Sequence, residues 1–111
     1  MLILNSNITM AGEANVLEVN IRPLGKDSFS IDATVQHADT GWDHYTNSWE
    51  VLDLDGNLLG KRVLLHPHVD EQPFTRNLVL TIPRNVKTIM IRANDLVHGK
   101  GNNSLSASVP R

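Results

Sequence analysis

A chain of 111 residues, 41% hydrophobic and 20% charged, has the make-up of an ordinary globular domain able to bury roughly two-thirds of its unfolded surface. Its formal net charge is −2 with Lys and Arg scattered singly, which excludes the clustered basic stripe that nucleic acid requires. The absence of cysteine excludes disulfides, thiolate catalysis and zinc-finger sites, and no apolar run approaches the roughly 18 residues of a membrane span.

The opening MLILNSNITM has an apolar patch but neither a basic n-region nor a long h-region, so it does not read as a signal peptide. Residues 1–13 read as an N-terminal arm, flexible or forming an edge strand, ahead of a domain over 14–111. From there the dominant period is two. In VLEVNIR, Leu17, Val19 and Ile21 alternate with Glu18, Asn20 and Arg22, the pattern of a half-buried strand. Pro23 and Gly25 supply a turn, and FSIDATVQH alternates again, with Phe29, Ile31, Ala33 and Val35 on one face. YTNSWEVLDL places Trp49 and Val51 together as a third strand. Asp55-Gly56 predicts a hairpin through a primed turn, which needs positive φ, and LLGKRVLL returns from it. FTRNLVLTI aligns Phe74, Leu78, Leu80 and Ile82; VKTIMIRA aligns Ile89, Ile91 and Ala93; SLSASVP closes with Leu105, Ala107 and Val109.

Seven short strands with turn punctuation and no helical period predict an all-β fold, an immunoglobulin-like or fibronectin-III-like sandwich of about seven antiparallel strands. Trp49 occupies the third strand, where such domains bury a Trp. Without flanking cysteines the fibronectin-III-like variant is the better comparison.

The motifs HADTGWDHY (37–45), WEVL (49–52), RVLLHPH (62–68) and EQPFTR (71–76) resemble those of a set of small uncharacterised bacterial proteins, over most of the chain from about residue 16. The resemblance implies a shared β-rich domain, often behind a secretory leader, and hence an extracytoplasmic location, periplasmic or secreted. The lack of an obvious leader in this sequence leaves a cytoplasmic location as the alternative. The resemblance implies no activity.

Chemistry-bearing residues gather in the connections. His37 falls in the buried register of the second strand, His44 opens the third, and His98 precedes the last. A sandwich opens the connection after its second strand and the one before its last at the same end. His66 and His68 flank Pro67 and share a side of an extended segment; whether they join the others depends on where the fourth strand lies. Imidazoles so gathered would suit Zn²⁺ or Cu²⁺, with Asp39, Asp43 or Asp70 as oxygen ligands or supporting partners. The alternative is structural: separate histidines satisfied by backbone carbonyls, with Asp39, Thr40 and Gly41 in a tight turn capped by Asp39. Trp42 is either a plug over the sandwich end or an exposed anchor.

Asp53, Asp55 and Asn57 mimic the start of a calcium loop, but Leu64 stands where the bidentate Glu is needed. No nucleophile elbow, phosphate-cradling loop or carboxylate pair is present, so no catalytic residue is assigned. The leading expectation is a non-enzymatic binding or accessory module without an obligatory cofactor. Its partner would be a protein or a small molecule, met through Trp42, Asp43, Tyr45, Asp70 and Arg76. A metalloprotein using His37, His44, His66, His68 and His98 is the alternative, and a hydrolase the third reading.

Overall fold

The computed structural model describes residues 14–37, 39, 41–42, 44–96, 99–100 (backbone only) and 104–111; the expected arm over 1–13 lies outside them. In chain order the strands are β1 (Asn15–Gly25), β2 (Ser28–Gln36), β3 (Thr46–Leu52), β4 (Leu58–Val63), β5 (Phe74–Thr81), β6 (Thr88–Asp95), β7 (Gly99–Lys100) and β8 (Leu105–Ser108). Seven have four residues or more, β7 adds a two-residue pairing, and there is no helix among the described residues. One sheet has the order β1-β2-β5. The other runs β4-β3-β6, and β7 and β8 follow one another along the free edge of β6. All pairings are antiparallel. The fourth strand lies beside the third, which gives a β-sandwich of fibronectin-III-like order.

The core forms where the period-two faces meet. Phe29, Ile31, Ala33 and Val35 of β2 pack into one cluster with Trp49 and Val51 of β3 and Ile89, Ile91 and Ala93 of β6. Trp49 is wholly buried, and its indole Nε1 has no hydrogen-bond partner, so packing alone accounts for its contribution. The outward faces are closed by cross-strand polar pairs, such as Arg92 on Glu50 at 3.0 Å and the Thr34–Thr75 hydroxyls at 2.7 Å.

Three local expectations need correction. Leu17 is 48% exposed while Val16 is buried. A register shift between Val16 and Glu18 inserts one residue, so Val16, Val19 and Ile21 face inward and Leu17 is the extra residue of a bulge. The first turn is not at Pro23. β1 is an edge strand and tolerates proline's missing N–H; it continues to Gly25 and reverses through Lys26 (φ 53°) and Asp27 (φ 63°), a two-residue primed turn. At Asp55-Gly56, by contrast, only Gly56 has positive φ (88°). Gly56 N–H donates to Asp53 O at 3.1 Å, and the Asp53 carboxylate accepts from the backbone N–H of Asp55 and Asn57 at 2.9 and 2.8 Å. That is an unprimed turn followed by a left-handed glycine, with the aspartate engaged by its own loop.

Trp49→Ala is expected to cost roughly 3–5 kcal/mol in chemical denaturation. Leu17→Ser, on the bulge, is expected to cost less than about 0.5 kcal/mol; comparable losses at the two positions would contradict the bulge.

Candidate functional site

The inward register of β2 does not stop at Val35. Continued by two it reaches His37, which is 2% exposed. On β6 the same continuation past Ala93 reaches Asp95, also buried, and Thr46 at the start of β3 is fully buried. Because β2 and β6 both end here, the apolar stripe of each sheet turns polar at the same end of the sandwich. β4 pairs with β3 and so delivers the connection over 64–73 to this end as well, before it crosses to β5.

Asp39 sits at the centre. Its Oδ1 lies 2.5 Å from His37 Nδ1 and accepts from Thr46 N–H at 3.2 Å. Its Oδ2 accepts from His68 N–H at 2.7 Å. The expected capping by Asp39 is therefore present, but it reaches across the structure rather than within its own turn. The described tight turn is instead Gly41 to His44, closed by His44 N–H on Gly41 O at 3.2 Å with Gly41 at φ 141°; Thr40 lies outside the described residues. Gln72 adds a second tie, accepting from His37 N–H at 2.9 Å and donating to His68 O at 2.8 Å.

On the other side of His37, Nε2 stands 3.2 Å from Asp95 Oδ2, and His44 Nε2 stands 3.7 Å from Asp95 Oδ1. The His37 and His44 rings meet edge-on at 4.7 Å. One ligand atom each from His37, His44 and Asp95 lies within 4.8 Å of the others, so this trio is the group able to hold a metal ion among the described residues. Among the described residues the structure thus brings together two imidazoles and a carboxylate.

His68 is buried but lies across Asp39 from the trio, its Nδ1 3.9 Å from Asp39 Oδ2. It stacks on Phe74 at 3.9 Å and 10°, and Arg76 donates to its Nε2 at 3.1 Å. Burial foremost, then the nearby Arg76 and His66, holds its pKa below the usual histidine value. An accepting Nε2 agrees with that, since it requires the neutral ring. His66 is exposed against His68, with its Nδ1 on Pro67 O at 3.0 Å. Neither belongs to the trio: His66 faces solvent, and His68 is held by Phe74 and Arg76. His98 and Asp43 lie outside the described residues.

Of the expected binding residues, Trp42 is 66% exposed and meets Tyr45 edge-on at 5.6 Å. It is therefore not a plug. Asp70 is exposed. Arg76 is engaged by His68 and by Glu71 at 3.0 Å, and it serves the packing of the 64–73 connection. Asp95 and Gln72 were missed at sequence level. The period-two register of Ile89, Ile91 and Ala93 points to Asp95, whereas nothing local points to Gln72.

Over 93 residues, 84% of its length, the chain is 36% identical to a protein of Halomicrobium mukohataei named "Putative lipoprotein". The match covers 46% of that protein, so the chain spans about half the length of the relative it matches. No family model matches, and no solved structure does. No helix among the described residues is long and apolar enough to cross a membrane.

Asp39→Ala strips a buried imidazole and two buried backbone N–H groups of their acceptor, and is expected to cost at least about 3 kcal/mol. His68 has a folded-state pKa below its unfolded one. Its neutral form therefore stabilises the fold above the unfolded value near 6.5, and that stability is lost as pH falls through 6.5 toward the folded value. Denaturation midpoints should fall between pH 7 and 5, and should fall less in His68→Phe, which keeps the ring stack.

Proposed function

We propose that the chain is a non-enzymatic, extracytoplasmic binding or accessory domain working through the loop end of its sandwich around Trp42. The observation that carries this reading is the placement of Trp42, 66% exposed at the corner of the Gly41–His44 turn. On either side of it in the sequence the chain is tied down through buried His37, Asp39 and Thr46. A large aromatic held on an ordered base loses little conformational freedom on binding, and Trp is the residue type most often found as a hot spot. Tyr45 at its edge extends the surface and adds a hydroxyl. The net charge of −2 argues for a protein or small-molecule partner rather than nucleic acid. The extracytoplasmic location is supported by the motif resemblance and by the lipoprotein name of the Halomicrobium relative.

Trp42→Ala is expected to leave stability unchanged within about 0.5 kcal/mol. In screens of the purified domain against peptide and glycan libraries, a ligand of the wild type should lose at least about tenfold in affinity with Trp42→Ala. It should be retained by Leu65→Ser, which alters another exposed hydrophobic residue (78% exposed). Equal binding by wild type and Trp42→Ala would reject this surface, and recovery of the full native gene product in the cytoplasmic fraction would reject the location.

A further inference from the structure

We propose that His37, His44 and Asp95 form a binding site for a divalent first-row transition metal ion of the zinc type, with Asp39 positioning His37. The argument starts from His37. Its Nδ1 lies 2.5 Å from Asp39 Oδ1, and a carboxylate can only accept, so Nδ1 carries the proton. In the neutral ring the lone pair then belongs to Nε2. A carboxylate holding the far nitrogen of an imidazole is how metal-ligating histidines are oriented and made more basic.

That Nε2 belongs to a side chain with no exposed surface and has no hydrogen-bond partner, although Asp95 Oδ2 is 3.2 Å away. The two atoms are close but not aligned as donor and acceptor. Two lone-pair-bearing atoms side by side in a buried site repel unless a proton or a metal cation lies between them. Ligands of a tetrahedral ion with bonds of about 2.0–2.1 Å stand roughly 3.3 Å apart, and the His37–Asp95 separation already has that value. His44 approaches the other Asp95 oxygen at 3.7 Å, and its side chain is 21% exposed. It is the part of the trio that reaches solvent. Two imidazole nitrogens with one carboxylate suit Zn²⁺, Co²⁺, Ni²⁺ or Cu²⁺; Ca²⁺ and Mg²⁺ prefer oxygen alone. The rival arrangement is a protonated His37 bridging Asp39 and Asp95 with no metal.

The test is titration of Zn²⁺ into tag-free, chelator-stripped protein at pH 7.5 by calorimetry, with Co²⁺ as an absorbance probe. The expected result is one ion per chain at micromolar affinity or tighter, with visible Co²⁺ bands. His44→Ala and Asp95→Asn should each weaken Zn²⁺ binding by at least about tenfold, and Asp39→Asn by about 10–100-fold. His66→Ala, outside the trio, should leave it unchanged. Circular dichroism checks that each variant is folded; if the buried variants are not, His44→Ala decides. Absence of stoichiometric binding by the wild type, or binding that survives His44→Ala and is lost in His66→Ala, overturns the site. Failure here leaves the Trp42 surface untouched, because that surface requires no metal.

Discussion

The Asp39 carboxylate is the interaction on which the organisation of this end of the molecule depends. A buried carboxylate costs several kcal/mol in lost hydration, and here the loss is offset by one imidazole and two backbone N–H groups. Those three partners come from the end of β2, the start of β3 and the β4–β5 connection. β2 and β3 belong to different sheets, so one side chain fastens the two sheets together and fixes the connection that crosses between them. Apolar packing of the two faces leaves the sheets free in their relative register at the ends. Directed bonds to a single group remove that freedom.

The two ends of the sandwich solve the same closure problem differently. At the β1–β2 turn, Asp27 pairs with Arg84 and Arg111 at 3.0 and 2.9 Å, and Arg111 also donates to the carbonyls of Ile82 and Pro83. Arg84 is largely exposed, and such surface pairs are worth little. A concavity of about 380 Å³ lies there, lined by Phe29, Lys87, Arg84 and Arg111 among others. Both arginines that line it are already committed to Asp27. At the His37 end, by contrast, the polar groups are buried and close together.

Burial also separates roles among residues that are neighbours in sequence. Within 37–45 the chain sends His37 and Asp39 into the core and Trp42 out to solvent, with the Gly41–His44 turn dividing the two. The same division occurs at 66–68, where Pro67 separates an exposed imidazole from a buried one. Among the described residues the histidines therefore occupy several environments, and His37 and His44 share one with Asp95.

Much of this was determined by the sequence itself. Alternation with period two sets which residues of β2, β5, β6 and β8 face inward, because a pleated strand sends successive side chains to opposite faces. That is enough to predict the sandwich and the burial of Trp49. The same parity carries His37 into the core and, followed further, Asp95. What parity cannot show is a change in its own phase. The bulge after Val16 is set by pairing with β2, so Leu17 reads as core and lies at the surface. Nor does it show which strand ends meet. Asp39 and His68 are 29 positions apart, and His37 and Asp95 are 58 apart by their numbers. Their contact was decided only when β4 joined β3 and β6 joined it on the other side, bringing those connections to one end. Hydrogen bonds between distant side chains depend on positions in space to within fractions of an ångström, and only the packed tertiary structure supplies that precision.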